Sequence, residues 1–137
     1  MSGINSTDDT IEYILEILNE NQIVYNHPSN NIDYYGKKNR RKHNITGLFG
    51  DRNFRICIRT QFVGGGAWQK MIYTYEMLRI NSSEEVKIIV YNGTDKRFNH
   101  HCNWVKEVYS TKDSKDAVKL MNLIEFTEFM DNKNYLN

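Results

Sequence analysis

The stretch FRICIRTQFVGGGAWQKMIYTY, residues 54–75, decides the fold of this chain. Its first part alternates, which predicts a β-strand with an apolar face (Phe54, Ile56, Ile58) and a polar face (Arg55, Cys57, Arg59, Gln61). Residues 64–66 are all glycine, so the backbone there can adopt positive φ and approach another chain closely. Apolar side chains then recur at helical spacing and predict an amphipathic helix (Trp68, Met71, Ile72, Tyr75, Leu78).

Composition limits the class of protein to which the chain can belong. The length of 137 residues predicts a single domain, residues 1–137, with a modest core. The formal net charge of +1 provides no global basic field, so contact with nucleic acid requires a local patch. No apolar run approaches the ~18 residues of a membrane span. There is no signal-peptide pattern, and the two cysteines, Cys57 and Cys102, are those of a reduced protein. We therefore expect a cytoplasmic protein that is neither secreted nor bound to a membrane.

The flanking segments predict the other elements. Before the central stretch, a helix is indicated by the spacing of Ile11, Ile14, Leu15 and Leu18, with a capping-box-like start at Asp9 and Glu12. Residues 1–8 are expected to be a loose polar end. Residues 23–26 predict a short strand, and residues 44–49 predict the partner of the central strand through a hairpin turn at residues 50–53.

After the central stretch, residues 86–91 (VKIIVY) predict a buried parallel strand. A third helix is indicated by Phe98, Cys102, Val105 and Tyr109. Residues 118–121 predict a short strand, and Asn122 with Glu125 predicts a capping box that begins a final helix. The predicted order is α-β-β-β-α-β-α-β-α, which is an α/β fold with a central mixed sheet flanked by helices.

The main local basic patch lies before the second predicted strand. It contains Lys37, Lys38, Arg40, Arg41 and Lys42. A run of this kind most often forms a solvated loop. The functional alternative is an arm that contacts phosphates.

Several motifs that carry chemistry are absent from the sequence. The glycine run has neither the GxxxxGK[ST] spacing of a P-loop nor the GxGxxG spacing of a dinucleotide site. His100, His101 and Cys102 are adjacent on a predicted helix and therefore point in different directions, so they do not predict a metal site. A Cys57–His pair would suit nucleophilic catalysis, but nothing in the local sequence activates this cysteine. The polar strand face remains the candidate site: it either meets an anionic partner or faces solvent with ordinary surface salt bridges.

The element order and the central block resemble the PD-(D/E)XK, or restriction-endonuclease-like, superfamily. In that family a strand carries Glu-x-Lys, often followed by x-Gln, and then come a small or glycine-rich turn and a helix with a lysine and an aromatic residue. Here Gln61, the glycine run, Lys70 and Tyr73 take the corresponding positions. The resemblance covers nearly the whole chain and implies a restriction-endonuclease-like core.

The chain departs from the family at the residues that hold the metal. The glutamate position falls on Cys57, the lysine position on Arg59 and the acidic position of the preceding strand near Thr46. Family members bind a divalent metal, usually magnesium, between the two acids. Cys57 and Thr46 cannot supply the carboxylate oxygens that hard cations require, and Arg59 cannot act as a base at neutral pH. The nearest substitutes in the sequence are Asp51 and Glu12, and neither occupies a ligand position of the family.

Three functions are consistent with this pattern. The favoured one is a catalytically inactive nuclease fold without a cofactor, which binds nucleic acid, with DNA favoured, or pairs as a homodimer or with an active nuclease subunit. Its contacts are predicted at Arg59, Gln61, Lys70 and the basic run. The second is an active, magnesium-dependent endonuclease with a displaced site at Asp51 or Glu12. The third is a structural or protein-interaction subunit of a larger assembly.

Overall fold

The computed structural model describes residues 3–27, 43–63, 67–109 and 118–137. Its elements follow the predicted order: α1 (Thr7–Glu20), β1 (Val24–Asn26), β2 (Asn44–Phe49), β3 (Arg52–Gln61), α2 (Met71–Asn81), β4 (Val86–Gly93), α3 (Lys96–Tyr109), β5 (Lys119–Asn122) and α4 (Leu123–Asp131). A 3-10 turn, Ala67–Lys70, leads into α2, and another, Asn134–Leu136, follows α4. The basic run and the three glycines lie outside the described residues.

The five strands form one mixed sheet in the order β1-β2-β3-β4-β5. The first three strands are antiparallel neighbours, whereas β3, β4 and β5 run parallel to one another. The predicted antiparallel pairing of residues 44–49 with the central strand is confirmed, and β4 lies beside β3 as expected. The α/β class with a mixed sheet is therefore confirmed.

The predicted four-residue hairpin turn was wrong. β3 begins at Arg52, which pairs with Phe49, so only Gly50 and Asp51 lie between the two strands. Gly50 has a φ of +66°, a backbone conformation that glycine adopts without the steric cost of a side chain. The tight turn lets the ladder extend two residues further than the alternating apolar pattern indicated.

Helices cover both faces of the sheet and enclose two apolar clusters. On one face, α1 and α4 pack over Ile45, Phe54, Ile56 and Ile58 together with the matching side chains of β4. On the other face, α2 and α3 pack over Cys57, Ile89 and Tyr91. The alternation of β3 thus places its two sets of side chains in different halves of a three-layer core.

The sequence predicted capping residues at the starts of α1 and α4, and the structure shows a cap at each start. The side chain of Ser6 caps α1 by accepting a hydrogen bond from the backbone N–H of Asp9. The predicted start at Asp9 was therefore wrong, since the cap lies three residues earlier and shortens the polar end. The capping box of α4 is confirmed, because Asn122 and Glu125 each accept a hydrogen bond from the other's backbone N–H.

Smaller differences concern element boundaries. The first strand begins at Val24, one residue later than predicted, and β5 spans Lys119–Asn122 instead of residues 118–121. Strand β4 continues through Gly93. A side chain at Gly93 would place its Cβ 2.3 Å from the carbonyl oxygen of Gln61, so glycine is required for the close approach of β4 to β3.

Candidate functional site

The polar face of β3 faces helix α2. Register places Thr46 opposite Arg55 and Asn44 opposite Cys57, and residues paired across strands share a sheet face. Thr46, Cys57 and Arg59 therefore lie on one face, as the resemblance implied. This face is not an open solvent surface, because α2 covers its middle and leaves Arg55 and Arg59 half-buried on either side of Cys57.

Cys57 lies between the two arginines along the strand, and its side chain is part of the core. The residue is 3% exposed. Burial raises the pKa of its thiol, and the nearby positive charges of Arg59 and Arg55 offset this only in part. A covered, neutral thiol is neither an activated nucleophile nor a ligand for a hard cation.

Arg59 is held in place by the helix that covers the strand. Its Nε donates a hydrogen bond of 3.1 Å to Oγ1 of Thr74, which is buried on α2. Its Nη1 makes a long contact of 3.4 Å with the carbonyl oxygen of Ile58. The side chain is therefore oriented by two neighbours, neither of which carries a charge.

Two open depressions meet at Arg59. The first, of about 480 Å³, is lined by Arg55, Cys57, Tyr73 and Met77 among others. The second, of about 530 Å³, is lined by Thr7, His43, Thr60, Gln69 and Lys70. Arg59 lines both of them. A ligand that contacts this guanidinium can therefore extend to either side of it.

The two arginines differ in their electrostatic partners. Arg55 donates from Nε and Nη2 to Oε1 of Glu84, at 3.1 and 2.9 Å. Burial alone raises the pKa of Glu84, but the hydrogen bonds from Arg55 and Ser82 outweigh it and hold this pKa below the usual range. The charge of Arg55 is thus compensated.

Arg59 and Lys70 differ from Arg55 in the part of the chain that the structure describes. Across the described ranges, neither forms an ion pair with an acidic residue. Lys70 is exposed at the end of the 3-10 turn, and Arg59 is half-buried. These two cations can therefore attract an anion from solution.

The other residues predicted as contacts are placed less favourably. Gln61 is only 6% exposed and lines neither depression. Its carbonyl oxygen accepts a hydrogen bond of 3.2 Å from the backbone N–H of Thr94. Lys37, Lys38, Arg40, Arg41 and Lys42 fall outside the described residues. The structure thus brings together Arg59 and Lys70 from the predicted set.

The two acids considered as substitute ligands lie away from these depressions. Asp51 lies in the turn before β3, eight residues from Arg59, and a strand of that length spans roughly 25 Å. Glu12 is exposed on α1, which packs on the opposite face of the sheet. Among the residues that the structure describes, no group of three or more histidine, cysteine and acidic side chains is placed to hold a metal ion.

Three residues of this region were missed from sequence. Thr74 orients Arg59, Glu84 neutralises Arg55, and Lys87 is a buried lysine in β4 whose Nζ donates a hydrogen bond of 3.1 Å to the carbonyl oxygen of Arg79 near the end of α2. Lys87 interrupts an otherwise apolar run, and that interruption was the available signal. No comparable break in a sequence pattern singles out Thr74 or Glu84.

Comparison of the chain with protein-family models, with curated proteins and with solved structures found no significant match. Within the described parts of the chain, no helix has both the length and the apolar character needed to cross a bilayer.

Proposed function

We propose that this chain binds nucleic acid without cleaving it, through phosphate contacts at Arg59 and Lys70. The observation that carries the proposal is a pair of cations, neither of which forms an ion pair with an acidic residue in the described ranges, beside two open depressions. The guanidinium of Arg59 is already oriented by Thr74, so little side-chain freedom is lost when a phosphate binds. Arginine suits this role because its planar fork contacts two phosphate oxygens at once.

The absence of cleavage is proposed from the chemistry of the same face. A magnesium ion needs carboxylate oxygens, and the residues at the family's acidic positions are Thr46 and Cys57. Asp51 and Glu12 do not line the depressions around Arg59. We therefore prefer a non-catalytic protein, on a scaffold that resembles the nuclease superfamily, over a nuclease with a displaced site.

One observation favours a second candidate, a protein-interaction subunit. Helix α2 exposes large apolar side chains at Tyr73, Met77 and Ile80, at the spacing of one helix face. An exposed apolar stripe of this kind is also found at protein interfaces. Under this candidate, Arg59 would meet a carboxylate of a partner protein instead of a phosphate.

The proposal is tested by fluorescence anisotropy with labelled 20-nucleotide DNA and RNA, single-stranded and duplex, over a series of salt concentrations. We expect Arg59→Ala to weaken binding by about 1.5–3 kcal/mol, the range for a charge-assisted hydrogen bond. The matched control is Lys133→Gln, which removes one exposed charge after α4, on the other side of the sheet. Absence of binding to every oligonucleotide at low salt, or an equal effect of the two variants, would contradict the proposal.

A further inference from the structure

Helix α2 has two apolar sides, and only one of them is covered by the fold. Met71, Tyr75 and Leu78 face the core, whereas Tyr73 and Ile80 are 66% and 64% exposed on the other side, with Met77 between them. The ring of Tyr73 is therefore accessible to a ligand.

Tyr73 shares a depression with Arg59. Both residues line the first depression, and Met77 lies one turn further along the helix in the same wall. Arg59 is anchored to Thr74, the residue that follows Tyr73, so ring and guanidinium are fixed to the same turn of α2. Lys70, three residues before Tyr73, lines the second depression on the far side of Arg59. The first depression thus combines the flat ring of Tyr73 with the cation of Arg59. The second depression adds the cation of Lys70 on the far side of Arg59.

This combination suits a ligand that repeats a flat aromatic group and an anion. We infer that the ligand is single-stranded nucleic acid, with a base stacked on Tyr73 and its phosphates at Arg59 and Lys70. In a duplex the faces of the bases are covered by their neighbours, so only an unpaired base offers a face to the ring. Stacking tolerates any base, because each has a π-face, so the inference predicts little dependence on sequence. It rests on the proposed function and adds the class of nucleic acid to it.

The same apolar side chains would serve a protein partner, and Ile80 separates the two explanations. Ile80 is as exposed as Tyr73 and belongs to the same helix face, but it does not line the depression around Arg59. A base stacked on Tyr73 would not contact Ile80, which lies outside the depression. A protein laid along the stripe would contact both residues.

The experiment compares Tyr73→Ala, Tyr73→Phe and Ile80→Ala with the unchanged chain. The probes are a labelled single-stranded 20-mer, its duplex, the same strand with abasic sites throughout, and inorganic polyphosphate, all measured by anisotropy or competition at one salt concentration. We expect the single strand to bind more tightly than the duplex. Tyr73→Ala is expected to weaken that binding by about 5- to 150-fold, the range for loss of one base stack, whereas Tyr73→Phe and Ile80→Ala leave it within about twofold. Binding of the abasic strand and of polyphosphate should not respond to Tyr73→Ala.

The outcomes separate this inference from the proposed function. If Arg59→Ala weakens binding but Tyr73→Ala does not, or if the duplex binds as well as the single strand, phosphate binding stands and stacking is excluded. If Ile80→Ala weakens binding as much as Tyr73→Ala, the contact extends along the whole stripe instead of being one stack in the depression, and the inference falls. If no probe binds, the proposed function fails and this inference fails with it. A circular dichroism spectrum of each variant identifies loss of folding, and Tyr73→Leu, which keeps an apolar side chain but has no π-face to stack on, replaces Tyr73→Ala if that variant does not fold and should weaken binding of the single strand in the same way.

Discussion

The Nε of Arg59 donates a hydrogen bond of 3.1 Å to Oγ1 of Thr74, and this bond ties the polar end of β3 to helix α2. The two residues are 15 positions apart, with the glycine run between them. Thr74 is buried, so its hydroxyl cannot be replaced easily by water in holding Arg59. The orientation of the guanidinium is thus a property of the strand–helix contact and not of the strand alone.

Thr74→Val should weaken phosphate binding while leaving the fold in place. Valine has nearly the shape of threonine but lacks the hydroxyl, so the fork of Arg59 would lose its acceptor and become free to rotate. We expect a loss of about 0.5–1.5 kcal/mol in binding to polyphosphate, the usual value of one hydrogen bond. The matched control is Thr127→Val on α4, whose hydroxyl donates to the carbonyl oxygen of Leu123 on the other side of the sheet. Equal losses from both variants would show that Thr74 does not position Arg59.

Arg59→Lys should separate the charge of this residue from its shape. Lysine keeps the positive charge but lacks the planar fork, so a bidentate phosphate contact should weaken visibly. The substitution also introduces the lysine of the nuclease motif that the central block resembles, without introducing the acids of that motif. We therefore expect no nicking of supercoiled plasmid in the presence of magnesium. Magnesium-dependent nicking by this variant would mean that carboxylates reach the site, and the non-catalytic function would be wrong.

Neutralising the basic run should reduce the salt dependence of binding. Each phosphate contact contributes about 0.9 to the slope of log affinity against log salt on B-DNA. Replacing Arg40, Arg41 and Lys42 together by glutamine should flatten that slope by up to about three units. An unchanged slope would mean that the run is only a solvated loop and that Arg59 and Lys70 act without it.

The pair of Arg55 and Glu84 should make stability depend on pH. The pKa of Glu84 in the folded chain lies below its usual 4.5, so the carboxylate stabilises the fold at neutral pH, and this stabilisation is lost as the pH falls through the folded-state pKa. Glu84→Gln should therefore lower the free energy of unfolding at pH 7 by about 1 kcal/mol. In urea titrations, the difference from the unchanged chain should shrink towards zero below pH 4.5. Glu76→Gln, which alters the more exposed pair with Arg79, should have a smaller effect at pH 7.

Magnesium and manganese should leave the melting temperature unchanged. An ion that binds only the folded state raises its stability, and the effect is large when the concentration is far above the dissociation constant. The described residues offer no group of acids placed to bind such an ion. A melting temperature that rises with metal concentration in differential scanning fluorimetry would favour the nuclease with a displaced site at Asp51 or Glu12.

Much of the fold was predictable because the patterns were local. The alternation of β3 assigned Ile56 and Cys57 to opposite faces, and each lies in a different apolar cluster. Trp104, which does not belong to the apolar stripe of its helix, is 48% exposed. The errors at the hairpin and at the first cap arose because Gly50 and Ser6 act through backbone geometry, which hydrophobic periodicity does not record.

The site was predictable only in part because its key contacts join distant segments. The sequence indicated that Arg59 and Lys70 lie near each other, since a short turn connects their elements. It did not indicate that Thr74 would hold one arginine and Glu84 would neutralise the other, because both depend on how α2 lies across the sheet. Gln61 shows the converse, since its position in the strand was predictable but its burial under neighbouring elements was not.

The reactivity of the two free cysteines can report local unfolding of this protein. Both thiols belong to the cluster beneath α2 and α3, and burial raises the pKa of Cys102 to about 12. Alkylating reagents should therefore modify them only when this half of the chain opens, at a rate set by that local equilibrium. Because Cys57 also lines the depression beside Arg59 and Tyr73, a ligand seated there should slow its alkylation more than that of Cys102. Mass spectrometry of the two alkylated sites would then record ligand occupancy and local unfolding together, without any substitution in the chain.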